Sequence, residues 1–232
     1  MATRILLIKK IKNMETKREQ HNHIMSTEEK EAYTKIIKAL PHLYSPILKT
    51  IQENINKKDN DLLDVGCGDG YLLGEIKKIF PKINLLGIDT DQYMINKGKN
   101  NFPNIDFQLG TADNYKEESD ITICNLCIHH IDNPVGAIKN MYKRTKRVLI
   151  ISDQIRPSNE TELEKRLEKR KNLISEKDVP YYKENERESI LEAYSEKEIL
   201  DIFDSTNLEY KIQIFDEDYY KRFVAIIEKG EI

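Results

Sequence analysis

Apolar residues recur along this chain in two alternating rhythms: short unbroken runs and helical stripes. Leu62–Val65, Ile83–Ile88, Ile105–Leu109, Asp120–Cys124 and Arg147–Ser152 are the short runs, and each predicts a strand. Between them, apolar residues stand three and four apart, as in Leu72, Leu73, Ile76 and Ile79 before Pro81. A second such helix covers Asp91 to Asn100, and a third opens at Asp132-Asn133-Pro134 with Ile138 and Met141 inward. Proline at the first position of a helix costs no hydrogen bond. Strands alternating with helices at this spacing predict parallel βαβ units.

Two helices precede the alternation. Ser26-Thr27-Glu28-Glu29 is a capping-box pattern opening a helix with Tyr33, Ile36, Ile37 and Leu40 on one face, stopped by Pro41. A second runs from Pro46 to Ile55. After Ser152 the rhythm changes. Ser158 to Lys177 is highly charged, with Leu163, Leu167 and Ile174 as a narrow stripe, which predicts a solvated helix lying over the domain. Asp178 to Glu188, with Pro180, Tyr181 and Tyr182, reads as a loop. Ser195-Glu196-Lys197-Glu198 is a second capping box, and Leu208–Phe215 and Arg222–Glu228 read as two closing strands.

Composition narrows the function classes. At 232 residues the chain suits one well-buried domain with a small appendage. A net charge of -3 gives no global pull toward nucleic acid or an anionic membrane, and no apolar run reaches the length of a bilayer span. Three cysteines without a secretory pattern predict reduced thiols and a cytoplasmic protein. Ile5–Ile8 followed by Lys9, Lys10 and Lys12 is too short for a signal-peptide core, so residues 1–25 read as a flexible N-terminal arm.

The chemistry concentrates in Leu62-Leu63-Asp64-Val65-Gly66-Cys67-Gly68-Asp69-Gly70. A strand runs through a glycine turn into a helix, a place where bare backbone can lie against a ligand and where the helix offers unpaired N–H groups. The glycines fall as G-x-G-x-G, with Tyr71 where a dinucleotide fingerprint wants its third glycine. Asp89, roughly 20–25 residues further on, ends the next strand, where an acid accepts ribose hydroxyls. That position suits NAD equally, so it identifies a nucleoside ribose and not the cofactor.

The segment Asp64–Gly70 closely resembles the first motif of the class I S-adenosylmethionine-dependent methyltransferases. Leu109-Gly110-Thr111-Ala112-Asp113 resembles the family segment bordering the adenine, with Thr111 where an acid is usual. Ser119 to Pro134 looks very like the family's fourth motif, and the resemblance covers Ser26 to Gly230. It implies a Rossmann-like three-layer α/β sandwich with a mostly parallel seven-stranded sheet and an antiparallel last strand pair. It implies cap helices over residues 26–57 and an inserted helical lid over residues 156–194 of a methyltransferase domain spanning 26–232.

By the same resemblance Asp64 lies near the methionyl amine, and Gly66, Cys67 and Gly68 line the methionine and ribose. Asp89 with Thr90 holds the ribose, Thr111, Ala112 and Asp113 the adenine edge, and Asn125 the floor beneath the sulfonium. The implied activity is methyl transfer to an O, N or C atom of a small molecule, leaving S-adenosylhomocysteine. A general base at His130, or at its neighbour His129, suits a hydroxyl nucleophile; the alternative for either is a structural histidine beside the cofactor. Asp153, at the carboxyl edge of the sheet, and Tyr181, Tyr182 and Tyr194 are the candidate substrate residues. Cys124-x-x-Cys127 lacks the second ligand pair that a structural zinc requires, so these thiols read as packing groups and no metal is expected. The rival readings are a methyltransferase acting on RNA or protein, a nicotinamide-dependent oxidoreductase, and a non-catalytic cofactor-binding regulator.

Overall fold

A computed structural model describes residues 26–40, 43–172, 179–217 and 220–230; the predicted N-terminal arm lies outside them. Seven strands form one sheet: β1 (Asp61–Val65), β2 (Asn84–Asp89), β3 (Asp106–Leu109), β4 (Ser119–Asn125), β5 (Thr145–Gln154), β6 (Lys211–Glu217) and β7 (Tyr220–Glu228). Their spatial order is β3-β2-β1-β4-β5-β7-β6. The first five pair in parallel, whereas β7 runs antiparallel to both β5 and β6. The expected fold is the observed one.

Helices cover both faces, as a parallel sheet requires. Helices α1 (Thr27–Ala39), α2 (Ser45–Asn54), α3 (Tyr71–Ile79) and α4 (Gln92–Asn101) bury Ile36, Ile47, Ile51, Leu73, Ile76 and Ile95 against one face. Helices α5 (Pro134–Arg144) and α8 (Glu196–Thr206) bury Ala137, Ile138, Met141, Ile199 and Phe203 against the other. Both capping boxes are present: Ser26 with Glu29 opens α1, and Ser195 with Glu198 opens α8. No helix among the described residues is long and apolar enough to cross a membrane.

Of the loop expected over Asp178–Glu188, Asp178 lies outside the described residues and the part from Val179 departs from expectation. It is helical, within α7 (Val179–Glu192), which follows α6 (Glu160–Lys171). Its apolar periodicity is poor, and ion pairs join the two helices. Arg170 pairs with Glu186 in a buried contact, and Arg187 reaches Glu160 and Glu164. Pro180 falls in the first turn, where its missing N–H removes no bond. Gln154 Nε2 donates to the Ser189 carbonyl and hydroxyl at 3.0 and 2.9 Å, tying α7 to the end of β5. Helix α7 also packs on α1.

One aromatic ring sets the spacing around the glycine turn. Phe107 on β3 is wedged among Gly70, Gly87 and Gly98. A Cβ at these positions would come within 2.4, 2.9 and 2.8 Å of its ring carbons. Gly98 lies in α4, where alanine would ordinarily stabilise by about 1 kcal/mol. Here the sign is expected to reverse: Gly98→Ala lowers stability in urea unfolding, because its methyl meets the ring. Phe107→Ala is expected to cost about 3–5 kcal/mol. A stabilised Gly98→Ala protein would show that the ring is loosely held.

Candidate active site

The sheet's crossovers diverge on either side of β1, since β2 and β4 are its two neighbours. Loops leaving β1 and β4 therefore part at their carboxyl ends and leave a crevice. The turn after β1 fills its rim. Gly66, Gly68 and Gly70 have φ of 78°, 54° and 77°, a region that strains other residues. The Gly66 and Cys67 amides donate to the Ile88 carbonyl at 2.8 and 3.0 Å. The Gly68 amide donates to Asp89 Oδ2 at 2.8 Å. Gly66 is closed in, since a Cβ there would lie 2.2 Å from Cys127 Sγ. Gly68 is open: nothing lies within 4 Å of where its Cβ would be.

The cavity beside Gly68 is walled by three groups of residues. Asp64, Gly66, Cys67, Gly68 and Asp69 come from the first strand and its turn, and Asn125 and Leu126 from the end of β4. Thr34 and Lys38 reach in from α1, with Tyr44, Tyr71, Leu72 and Met94 completing the wall. Lys38 Nζ sits 2.9 Å from Asp69 and 5.6 Å from the centre of the Tyr71 ring.

Asp64 is the unusual group. Its side chain is buried, and Oδ1 has no hydrogen-bond partner. Burial, reinforced by the charge of Asp89, pushes its pKa up to about 8. Asp89 accepts from Gly68 N and, through Oδ1, from Asp91 N at 2.9 Å. Burial raises its pKa as well, against the pull of those amides. Each Asp89 oxygen keeps a second lone pair.

A buried carboxyl oxygen awaiting a donor, beside backbone that leaves room for a ligand, is a binding site in need of its ligand. A family model for a methyltransferase domain matches residues 34–211. The chain belongs to this family, the class I S-adenosylmethionine-dependent methyltransferases.

Curated relatives agree over part of their length. A ubiquinone biosynthesis O-methyltransferase of Coxiella burnetii is 31% identical over 109 residues, 43% of this chain and 45% of that one. A malonyl-[acyl-carrier protein] O-methyltransferase of Bacillus cereus is 26% identical over 117 residues, 49% of this chain and 43% of that one. The chain thus spans less than half the length of these relatives. Among solved structures, the plantazolicin methyltransferase BpumL in complex with SAH superposes with a TM-score of 0.67 at 17% identity. That match covers 97% of this chain and 100% of that one. Magnesium protoporphyrin IX methyltransferase from Synechocystis PCC 6803 with bound SAM gives 0.58 at 11% identity, covering 94% and 90%.

Within this methyltransferase, the residues singled out from sequence fall in three places. Asp64, Gly66, Cys67, Gly68 and Asn125 share the cavity, and Asp89 lies one hydrogen bond behind it. Thr90, Thr111, Ala112 and Asp113 stand beyond the carboxyl ends of β2 and β3, outside the cavity wall. Gly110 N donates to the Asp89 carbonyl at 3.0 Å, linking that edge to the turn. Thr111 bonds Asn114, and the Ala112 carbonyl accepts from Asn140. Tyr194 packs in the apolar cluster with Ile155 and Ile199 rather than in the cavity. Tyr181 and Tyr182 fall on α7, and their side chains lie outside the described residues.

The two histidines have separate environments. His129 is buried, its Nδ1 2.7 and 2.8 Å from the Asp153 oxygens, and its Nε2 has no partner. His130 stacks on it with ring centres 3.9 Å apart, but 52% of its side chain is exposed. The neighbouring His129 holds the His130 pKa down, an effect that solvent at this exposure screens. Asp153 is buried, and that burial works against its ionisation; the His129 contact and the Gln154 amide outweigh it and lower its pKa. Among the described residues, no group of three or more His, Cys, Asp or Glu is placed to hold a metal ion.

Sequence reading missed Thr34, Lys38, Tyr44, Tyr71, Met94 and Leu126 as wall residues, and Arg222 as a buried base to the site. Arg222 is fully buried on β7 and donates through Nη2 to Asn125 Oδ1 at 2.8 Å and to Ser152 Oγ at 3.1 Å. It is drawn from an edge-side strand 97 residues away from Asn125, a pairing that no local pattern reveals.

The Asp64 shift sets a pH dependence. Its folded pKa of about 8 stands above the unfolded value of about 3.9. Stability from this group is therefore full below the unfolded value and lost as pH rises through the folded one. Asp64→Asn is expected to match the parent's Tm at pH ~4 and to exceed it at pH ~9, by scanning calorimetry. Equal Tm values at alkaline pH would show Asp64 to be already compensated.

Proposed function

We propose that this chain binds S-adenosylmethionine and directs its methyl group to an O, N or C atom of a small molecule, with oxygen favoured. The observation that carries this is the unpartnered Oδ1 of buried Asp64 beside the open face of Gly68. An ammonium group would satisfy that oxygen, and a bare backbone leaves room for the chain that carries it. The family match supports the cofactor, and relatives named as O-methyltransferases support an oxygen acceptor. The same match sets aside the nicotinamide alternative.

Bound here, the cofactor supplies a methyl group made electrophilic by its sulfonium, and S-adenosylhomocysteine remains. The protein's part is placement and exclusion of water. Asp64, ionised, holds the amine; Lys38 brings a cation to the cavity that suits the carboxylate. Asp89, with Thr90 beside it, offers its spare lone pairs to the ribose hydroxyls. Thr111, Ala112 and Asp113 border the adenine, and Asn125 forms the floor. Residues 26–57 act as a cap, and 156–194 as a lid over the acceptor.

His129 is better built than His130 to take a proton from a hydroxyl acceptor. Asp153 holds Nδ1, which leaves a lone pair on Nε2 and stabilises the imidazolium once that lone pair has accepted the proton. A reducing, cytoplasmic setting suits three free cysteines.

Asp89→Ala is expected to abolish S-adenosylmethionine binding in calorimetry while the circular dichroism spectrum is kept; near-normal affinity refutes the assignment. At pH 7 Asp64 is protonated in the free protein, so binding of the ammonium should release close to one proton. Titrations in buffers of different ionisation enthalpy read this directly, and the release should vanish in Asp64→Asn. His129→Ala is expected to lower turnover by about 10²–10⁴-fold with S-adenosylhomocysteine affinity kept. His130→Ala should stay within a few-fold, and the reverse ranking would move the base to His130.

A further inference from the structure

A second orphaned group lies behind the cavity floor. Arg222 is fully buried, and one of its three guanidinium nitrogens is satisfied, by Asn125 and Ser152. Nε and Nη1 have no hydrogen-bond partner. The Asp153 carboxylate stands nearby, but it is engaged elsewhere. Asp153 spends its oxygens on the His129 ring and on the His129 and Gln154 amides. Arg170 adds a like charge nearby. Desolvation brings the Arg222 pKa down to about 10, and the charge of Asp153 only partly offsets it.

A guanidinium in this state costs folding free energy. A purely structural role is poorly served by it, since an apolar residue would pack β7 at less cost. Its position suggests what it serves. It spans from β7 across Ser152 on β5 to Asn125, which lines the cavity. It therefore lies at the carboxyl end of the sheet, on the face opposite to Asp153 and His129 and one hydrogen bond behind the cavity wall.

We propose that Arg222 is the anchor for an anionic group on the methyl acceptor, and that the acceptor is a carboxylate-bearing small molecule. This rests on the methyl-transfer reading above and adds the acceptor's class to it. The acceptor's carboxylate oxygens accept from the Nη1 and Nε hydrogens, replacing the hydration that burial removed. A single negative charge matches the single guanidinium; a phosphate dianion would leave excess charge beside Asp153. Charge-assisted bonds of this kind also orient the acceptor, so that its nucleophilic atom meets the methyl group.

The test uses benzoate, benzamide and phenyl phosphate as probes, titrated by calorimetry into the full-length protein with and without S-adenosylhomocysteine. Benzoate is expected to bind at least tenfold more tightly than either of the others, and Arg222→Met is expected to abolish that preference. Equal binding of benzoate and benzamide by the parent protein, no benzoate binding, or a preference retained in Arg222→Met overturns the proposal. Tighter phenyl phosphate binding overturns the carboxylate assignment.

Scanning calorimetry supplies an independent reading. Arg222→Met is expected to raise Tm, since it removes an uncompensated buried charge. A lowered Tm, or failure to fold, shows a structural arginine and overturns the proposal. Failure of the parent to bind S-adenosylhomocysteine would strike the methyl-donor reading instead, and the comparison among probes in its absence would still decide the role of Arg222.

Discussion

A carboxyl group buried without a donor is costly, and this fold places one at the end of an interior strand, β1. Asp64 sits where β1 gives way to the glycine turn, with its Oδ1 unanswered and Asp89 nearby to discourage ionisation. The surrounding geometry follows from keeping that oxygen available. The turn amides bond Ile88 and Asp89 instead of Asp64. They therefore stitch the loop to β2 and leave the β1 acid facing the cavity. Stability is given up at a point where binding can recover it.

The loop keeps this shape because of what packs behind it. Phe107 fills the space that three glycines leave, so the turn, β2 and α4 close on one ring. Cys127 fills the space beside Gly66 in the same way. The glycines thus have different reasons for being glycine: closeness of neighbours at Gly87 and Gly98, and room for a ligand at Gly68. Rigid support of this kind lets a binding site be precise although it is made of loops.

The far end of the site is assembled by charge. Helices α6 and α7 are joined by arginine–glutamate pairs, one of them buried. At the carboxyl end of the sheet Asp153 holds His129 on one face, and Arg222 holds Asn125 on the other. Two groups with unpartnered nitrogens, His129 and Arg222, therefore stand on opposite faces of the same sheet edge. A site for methyl transfer needs little acid–base machinery beyond such placement; His129 is the proposed base and Arg222 the proposed anchor.

The local pattern of the chain determined the sheet, the order of its elements, both capping boxes and the glycine turn, because each is written in residues close in sequence. Asp64, Gly68 and Asp89 were legible for the same reason: strand ends and turns carry short-range signatures. Tertiary structure alone decided which histidine is held by Asp153, that Lys38 enters the cavity from α1, and that Arg222 lies beneath Asn125. It also decided that the charged stretch after residue 178 is a helix, since its stabilising partners lie on α6. Those features depend on contacts between distant segments, and side-chain direction at such contacts is set by packing rather than by the periodicity of either segment.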